Sequence, residues 1–356
     1  MDDPQAMEIE PAKPSPSPTT DAQKPKTAQS LMWIEKYRPQ KLSDLLSHQQ
    51  IITTLNTLIS NNRLPHLLFC GPPGTGKTST ILACAKQMYG PTYKSMILEL
   101  NASDDRGISV IRDQIKSFAS TRRMFSSGVK LVVLDEADSM TSAAQMALRR
   151  VVEKFAANTR FCIICNYVNK IIPALQSRCT KFRFGPIPRD HVRKRVRQIA
   201  QGESVPLTED GLEALLELGK GDMRRILNVL QSSHMAAMAT GGKVDGDAVY
   251  ANTGAPHPGD IAHIWKLLID SDYTTCSAKL QHMKALKGLA LQDIITELLP
   301  YVVKSDLKGD AKMYIYERLA ELEVRLAVGG SDKLNLAALV GCCKLGQAIS
   351  MDKMVC

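Results

Sequence analysis

The sequence predicts an α/β module built on a mostly parallel sheet, followed by a small helical domain and a third domain made of helices alone. Between about residues 30 and 186, short apolar runs alternate with segments whose apolar residues recur at helical spacing. This alternation is typical of parallel strands covered by helices. After residue 186 the strand-like runs stop and only helical patterns continue.

Five apolar runs predict the strands of the first module, because each is short and is bounded by polar or turn-forming residues. They are HLLFC (66–70), MILELN (96–101), KLVVLD (130–135), RFCIICN (160–166) and TKFRF (180–184). The segments between them that show helical spacing are TSTILACAKQM (78–88), ISVIRDQIKSFAS (108–120) and SAAQMALRRVVEKF (142–155).

The chain divides into four predicted parts: a tail (1–29), the first module (30–186), a small helical domain (187–254) and an all-helical domain (255–356). The tail is polar and rich in proline, which predicts disorder. Gly185 and Pro186 interrupt the chain after the last predicted strand, and the loop NTGAPHPGD (252–260) separates the two helical domains.

The positive charge of the chain lies in the first module. The net charge is +9, and residues 30–186 alone carry 21 Lys and Arg against 10 Asp and Glu. Residues 187–255 and 256–356 are each balanced. Such an excess is typical of modules that contact nucleic acid, but a solvated basic face would carry the same charge. Aromatic residues make up only 5% of the chain, which argues against a surface built on base stacking.

Some function classes are disfavoured by the sequence. No uninterrupted apolar run approaches the roughly 18 residues of a membrane helix, and the first residues have no apolar signal-peptide core. The nine cysteines are scattered, and the CxxC pair Cys162 and Cys165 has no second pair to complete a zinc site. The cysteines are expected to be buried small side chains in a reducing compartment.

The segment GPPGTGKT (71–78) predicts a phosphate-binding loop, because it follows a strand and opens a helix. Its glycines let the backbone curl so that N–H groups point at phosphate oxygens, and the helix N-terminus favours the negative charge. Lys77 would neutralise the β- and γ-phosphates, and the Thr78 hydroxyl would bind Mg²⁺. The nucleotide contacts expected in this loop are Gly71, Pro72, Pro73, Gly74, Thr75, Gly76, Lys77, Thr78 and Ser79.

The segment KLVVLDEAD (130–138) supplies an acidic pair at the end of a predicted buried strand. Asp135 is expected to hold Mg²⁺, and Glu136 is expected to polarise the water that attacks the phosphate. Together with Lys77 and Thr78, this pair favours a hydrolysing ATPase. The alternative is a nucleotide-binding structural subunit that does not hydrolyse.

Seven motifs occur in order after the tail: WIEKYRP (33–39), GPPGTGKT, LELNASDDRGI (98–108), LDEAD, AQMALRRVVE, ALQSRC and GDMRR (221–225). As an ordered set they resemble the small subunits of replication factor C, the eukaryotic sliding-clamp loader of the AAA+ class. The pattern is most similar to the small subunits called 3 or 5, depending on naming tradition. KGLALQDII (287–295) extends the resemblance into the last domain.

The resemblance implies a P-loop AAA+ ATPase module, a helical lid and a helical collar that joins five different subunits in a ring. It implies ATP and Mg²⁺ as cofactors, and the other replication factor C subunits, the sliding clamp and primer–template DNA as partners, with no membrane. The implied location is the nucleus. The expected function is that of an ATPase subunit that helps to open the clamp and load it onto DNA.

Two alternatives to that function stay open. One is a scaffold subunit of the same ring that binds nucleotide with negligible hydrolysis of its own. The other, more distant, is a DNA helicase or remodeller of the same ATPase class.

The resemblance also implies roles for single residues. Asn166 matches the first sensor of the γ-phosphate, and Arg224 matches a second sensor that reaches from the lid. Arg178 in SRC matches an arginine finger that acts in trans, on the ATP of a neighbouring subunit. From position alone, Asn166 would be a turn residue, Arg224 a helix-surface residue and Arg178 the partner of a nearby carboxylate.

Further positions are matched around the nucleotide and the DNA. Asn101 matches a residue that can turn the catalytic glutamate away until DNA arrives. The positions matched around the base and ribose are Ile34, Arg38 and Leu46. The positions matched to DNA-phosphate contacts are Arg106, Arg112, Ser142 and Gln145, for each of which a solvated surface role is the alternative. FASTRRMFSSG (118–128) is expected to approach the clamp.

Overall fold

The computed structural model describes residues 32–352 apart from residues 46, 62, 104–106 and 122–127. For residues 107–112 and 352 it describes the backbone alone. The predicted tail (1–29) and the centre of the segment expected to approach the clamp therefore lie outside the described residues.

The five predicted strands are confirmed, and they form one parallel sheet in the order β2-β3-β4-β1-β5. Their bounds are β1 Leu67–Cys70, β2 Ile97–Asn101, β3 Lys130–Asp135, β4 Thr159–Cys165 and β5 Thr180–Arg183. Because all neighbouring strands are parallel, the carboxyl ends of β3, β4 and β1 lie side by side at one end of the sheet. Open α/β sheets bind their ligands beyond this end of the strands.

Seven helices accompany the strands in the described part of the first module. They are α1 Trp33–Lys36, α2 Gln49–Ser60, α3 Lys77–Tyr89, α4 Tyr93–Met96, α5 Gly107–Ser120, α6 Ser142–Phe155 and α7 Pro173–Gln176. Helices α3, α5 and α6 are the three that the helical spacing predicts, so the alternation of strands and helices is confirmed.

The three central strands of the sheet, β1, β3 and β4, are buried on both faces. On one face Leu67 and Phe69 belong to the same core as Ile81 of α3. On the other face Leu68 belongs to a core with Leu148 of α6. Because successive strand residues point to opposite faces, strands covered on both sides need continuous apolar runs, as in β1, β3 and β4. The outer strands β2 and β5 carry exposed polar residues instead.

A small helical domain, here called the lid, follows the sheet. Its helices are α8 Arg189–Gly202, α9 Glu209–Gly219, α10 Met223–Thr240 and α11 Gly246–Thr253. Side-chain oxygens of Thr208, Asp222 and Asp245 cap α9, α10 and α11 by accepting backbone N–H bonds, which sets where these helices begin.

Helix α1 packs on the lid and not on the sheet. Trp33 is 7% exposed and lies in the lid core, and its backbone N–H donates to Gln231 Oε1 of α10 at 3.0 Å. Lys36 and Tyr37 both donate to the Glu203 carboxylate at the end of α8. The predicted domain boundary at residue 30 remains a prediction. Residues 33–37 precede the sheet in sequence but pack with the lid, because the large Trp33 indole is buried in the lid core.

The third domain, here called the collar, is helical throughout the residues that the structure describes. Its helices are α12 Pro258–Asp270, α13 Tyr273–Lys287, α14 Leu291–Lys304, α15 Gly309–Val328 and α16 Asp332–Asp352. By length and composition α16 could cross a membrane, although the sequence has no uninterrupted apolar run of that length. Leu339, Val340 and Cys343 of α16 are instead buried in the collar core, as in the core helix of a globular domain.

Candidate nucleotide-binding and hydrolysis site

The phosphate loop follows β1 and ends where α3 begins at Lys77. Gly71, Gly74 and Gly76 all have positive φ, at 151°, 68° and 93°, a backbone region that favours glycine. Two of these glycines are also required by close approach. A Cβ on Gly71 would lie 2.1 Å from the Phe184 carbonyl oxygen, and a Cβ on Gly74 would lie 1.7 Å from Asp222 Oδ1.

The Lys77 ammonium lies inside this loop and is only 7% exposed. Its Nζ donates to the carbonyl oxygens of Gly71 and Pro72 at 2.8 and 2.9 Å, and to Asn166 Oδ1 at 2.9 Å. Burial lowers the pKa of Lys77, and the nearby Asp135 carboxylate opposes that effect. A buried cation held by neutral oxygens is suited to a phosphate, which would supply the compensating negative charge.

Thr78 and Asp135 face each other at the end of β3. The Thr78 hydroxyl donates to Asp135 Oδ2 at 2.7 Å, while Asp135 Oδ1 accepts the Glu136 backbone N–H at 2.9 Å. A hydroxyl and a carboxylate oxygen at one place are the ligand types that Mg²⁺ takes in nucleotide sites. The two residues predicted to hold Mg²⁺ are therefore brought together, and their donor set fits this ion.

Glu136 is exposed and has a left-handed backbone, with φ 53° and ψ 36°. Non-glycine residues rarely adopt this conformation, and where they do the strain is often functional. Here the turn lets the chain leave β3 sharply, so that Glu136 lines the same cavity as Lys77.

A cavity of about 230 Å³ lies between the phosphate loop, the segment after α1 and the lid. The sequence-predicted residues that line it are Ile34, Arg38, Pro73, Gly74, Thr75, Gly76, Lys77, Thr78, Ser79, Asp135, Glu136, Asn166 and Arg224. Leu46 lies outside the described residues. Gly71 and Pro72 do not line the cavity, because their carbonyl groups point at the Lys77 ammonium.

Sequence reasoning missed several residues of this cavity. They include Tyr37, Pro39, Leu45, His48, Arg195 and Met223. Leu45 and His48 lie within two residues of the predicted Leu46. The sequence therefore located this segment of the cavity wall but not all of the residues that line it. Arg195 on α8 carries no signal in the sequence, because its place at the cavity depends on how the lid packs. Burial lowers the pKa of His48, which favours its neutral ring.

Arg224 and Arg225 follow the Asp222 cap of α10, whose Oδ1 accepts their backbone N–H groups at 2.8 and 3.3 Å. Arg224 lines the nucleotide cavity, and its charge lowers the pKa of Lys77 further. Arg225 lines a separate cleft between the lid and the collar. The helix-surface alternative thus does not describe Arg224, since it faces the same cavity as Lys77.

Arg178 lies away from this cavity, just before β5. Its Nη2 pairs with Glu153 Oε1 at 2.5 Å, and its Nη1 donates to the Ala174 carbonyl oxygen at 2.7 Å. The carboxylate pairing considered as the alternative is therefore present in the isolated chain. A role in trans stays a prediction, and the position of Arg178 outside its own chain's cavity is compatible with it.

Asn101 ends β2 beside Asp135 in the sheet register. Its Oδ1 accepts the Ser103 backbone N–H at 3.1 Å and the Ser103 hydroxyl at 2.9 Å. The expected action of Asn101 on the catalytic glutamate stays a prediction.

Of the four residues matched to DNA contacts, the structure describes the side chains of two. Ser142 is exposed at the first turn of α6. Gln145 is 1% exposed, and its amide bonds the carbonyl oxygens of Met140 and Lys170 and the Ile172 N–H. The expectation for Gln145 is wrong for its side chain, because this amide is buried and already fully engaged. Arg106 and the Arg112 side chain lie outside the described residues.

Two family models match the chain. Residues 67–187 match the ATPase family associated with various cellular activities (AAA), and residues 256–342 match the replication factor C C-terminal domain. Replication factor C subunit 5 of Homo sapiens is 54% identical over 312 residues, which is 87% of this chain and 91% of that protein. Replication factor C subunit 3 of Schizosaccharomyces pombe is 50% identical over 317 residues, 89% of this chain and 92% of that protein.

The chain belongs to the replication factor C subunit family. This confirms the resemblance to subunits numbered 3 or 5, and with it the interpretation as an AAA+ ATPase component of the replication clamp loader. A solved structure of the Thermotoga maritima RuvB Holliday junction branch migration motor has a TM-score of 0.50 and 15% identity, and covers 74% of this chain and 91% of that chain. At that identity the likeness concerns the fold alone, and it agrees with an AAA+ module followed by helical domains.

Proposed function

We propose that this replication factor C subunit binds ATP with Mg²⁺ in the cavity and hydrolyses it there, as a working site of the clamp loader and not only as a scaffold. One observation carries the proposal. Lys77, Thr78, Asp135 and Asn166 come from three separate segments and meet through two short hydrogen bonds, Lys77 to Asn166 at 2.9 Å and Thr78 to Asp135 at 2.7 Å. The exposed Glu136 carboxylate lines the same cavity, and a subunit that only bound nucleotide would not require it.

Each residue has a distinct part in the proposed reaction. Lys77 and the loop N–H groups bind the β- and γ-phosphates, and Arg224 adds a second positive charge from the lid. Thr78 and Asp135 would hold Mg²⁺, which neutralises charge on the phosphates when it is bound. Glu136 accepts a proton from the attacking water, and its exposed position at the cavity allows water to reach it.

Arg178 is proposed to complete the site of the neighbouring subunit. A guanidinium suits that task because its fixed planar donors can hold a γ-phosphate while charge develops on it. Nη1 and Nη2 carry the hydrogen bonds to Ala174 and Glu153, so further donors of the same guanidinium remain for a phosphate.

The partners proposed for this subunit are the other replication factor C subunits, the sliding clamp and primer–template DNA. The charge on residues 30–186, with 21 basic against 10 acidic residues, suits contact with the DNA backbone at any sequence. Arg106, Arg112 and Ser142 are the proposed contacts in this chain. DNA and the clamp are proposed to stimulate hydrolysis, and the proposed location is the nucleus.

The test uses the assembled clamp loader with the ATP sites of the other subunits disabled. Lys77→Ala is expected to abolish ATP binding at this site, whereas Glu136→Gln should bind ATP and lose turnover by about 10²-fold or more. Glu99→Gln is the matched control, because the Glu99 carboxylate accepts a bond from the Tyr93 hydroxyl and lies outside the cavity. If Glu136→Gln hydrolyses ATP as fast as the unmodified subunit, the catalytic assignment of Glu136 is wrong. If the unmodified subunit hydrolyses ATP no faster than Lys77→Ala, the scaffold interpretation stands.

A further inference from the structure

Asp138 is the third acidic residue of the LDEAD segment (134–138). Asp135 and Glu136 have proposed roles in Mg²⁺ binding and water activation, whereas Asp138 has none. It lies in the short 3-10 turn Ala137–Ser139 that follows Glu136. Its Oδ2 accepts two backbone N–H groups from the next strand end, those of Asn166 and Tyr167, each at 3.2 Å. One carboxylate oxygen therefore ties the turn after β3 to the first two residues after β4.

The segment that Asp138 holds has little packing of its own. Asn166 and Tyr167 are both exposed, and the Tyr167 side chain is 61% exposed. Their N–H groups come directly after the last residue of β4, where the bonds of the sheet stop. Two bonds to one carboxylate oxygen therefore restrain a backbone that buried apolar side chains do not hold.

The Asn166 side chain carries that restraint into the phosphate site. Its Oδ1 accepts a bond from Lys77 Nζ at 2.9 Å, and the same ammonium bonds the loop carbonyl oxygens of Gly71 and Pro72. A continuous path of hydrogen bonds thus runs from Asp138 through Asn166 to Lys77. Any rotation of the backbone at residue 166 would move Oδ1 away from the ammonium.

We propose that Asp138 is a positioning residue for hydrolysis, which acts by fixing the backbone of Asn166 so that the Asn166 amide faces the γ-phosphate and Lys77. The inference rests on the proposed ATPase function of this site. Asp138 acts mainly through its acceptor oxygen, because both of its bonds are to neutral backbone N–H groups, and its charge is the smallest of the named influences on the pKa of Lys77. An asparagine at this position offers an equivalent acceptor, whereas an alanine offers none.

The test is a double-variant cycle in the assembled clamp loader with all other ATP sites disabled, measured as the single-turnover hydrolysis rate. Asp138→Ala is expected to slow hydrolysis about tenfold, equal to about 1.4 kcal/mol of barrier. Asn166→Ala should slow it at least as much, and the double variant should be no slower than Asn166→Ala alone. Asp138→Asn should restore the rate to within about twofold of the unmodified subunit.

Asp247→Ala is the matched control, since its side chain is 92% exposed on the lid and lies outside the cavity. Melting temperatures of all variants separate a folding defect from a slower reaction. Asp138→Val, which also lacks an acceptor, replaces Asp138→Ala in the cycle if the alanine variant does not assemble. Losses that multiply in the double variant would mean that Asp138 acts independently of Asn166, and an Asp138→Asn rate as low as that of Asp138→Ala would mean that its charge matters. Either result overturns the inference.

Different experimental outcomes contradict the positioning role of Asp138 and the proposed ATPase function. If Glu136→Gln stops hydrolysis while Asp138→Ala and Asn166→Ala match the unmodified subunit, only the positioning role is wrong. If the unmodified subunit hydrolyses ATP no faster than Lys77→Ala, the proposed ATPase function itself fails.

Discussion

Gly74 and Asp222 lie so close together that a Cβ atom on Gly74 would be 1.7 Å from Asp222 Oδ1. Gly74 belongs to the phosphate loop and Asp222 caps α10, so the first turn of this lid helix rests directly on the loop. Two residues later, Arg224 reaches the nucleotide cavity. The position of the lid and the shape of the phosphate site are therefore determined together.

Gly74→Ala should consequently displace the lid and weaken ATP binding about tenfold or more, since each 1.4 kcal/mol lost is tenfold in affinity. The measurement is an equilibrium ATP titration of the purified subunit. Gly288→Ala is the matched control, because Gly288 has a similar φ of 64° but no atom within 4 Å of the added Cβ. That control should lose only about 1–2 kcal/mol of stability from backbone strain and bind ATP normally. Normal binding by Gly74→Ala would show that the lid does not constrain the loop.

Arg178→Ala tests the role in trans. In the assembled ring, turnover at the adjacent subunit's site should fall, because arginine fingers are typically worth about 10³–10⁵ in rate in nucleotide hydrolases. Nucleotide occupancy and turnover are measured separately at each site, and this chain's own site should still bind ATP. Stability of the isolated chain should change little, since the pair with Glu153 is exposed to solvent.

Lys154→Ala is the control for Arg178→Ala, because it removes an exposed positive charge from α6 next to Glu153. It should leave the neighbour's turnover unchanged. A loss at this chain's own site, with the neighbour unaffected, would place Arg178 in cis and contradict the assignment.

The contact of α1 with the lid should depend on pH through Glu203. Burial pushes the pKa of Glu203 up, but the hydrogen bonds from Lys36 and Tyr37 outweigh burial and leave it below its usual range. A carboxyl with a depressed folded pKa stabilises the fold above its unfolded pKa of about 4.3, and this stabilisation is lost as pH falls through the folded value. At neutral pH, Glu203→Gln should therefore cost about 1 kcal/mol or less, because Lys36 is partly exposed and solvent screens the pair.

Melting temperatures between about pH 7 and pH 3 check this prediction. The advantage of the unmodified chain over Glu203→Gln should shrink below about pH 4.3, where the carboxyl begins to be protonated. Glu209→Gln, which removes an exposed carboxylate paired with Arg197 on the lid, should show a smaller effect. A difference between the chain and Glu203→Gln that stays constant over this range would exclude the ionised contact as its cause.

Much of the phosphate site could be predicted from the sequence because its parts are local. The spacing of Gly71, Gly74 and Gly76 before Lys77 determines a turn that ends in a helix, and the backbone conformation of each glycine needs no distant residue to be foreseen. The continuous apolar runs likewise predicted β1, β3 and β4, since a strand buried on both faces requires them wherever it lies in the sheet. The family motifs added Asn166 and Arg224, which no local pattern distinguishes from turn or surface residues.

What only the tertiary structure decided is the direction of side chains relative to distant elements. Gln145 lies one turn into an exposed helix start, yet it points inward to bond the segment around residues 170–172. Arg195 lies in a basic run typical of a solvated helix, yet it lines the nucleotide cavity. Trp33 precedes the sheet in sequence but packs with the lid, because burial of its large apolar side chain in the lid core stabilises the fold. Sequence spacing determines the backbone over a few residues, whereas burial and hydrogen bonding between segments far apart in sequence depend on the packing of the whole chain.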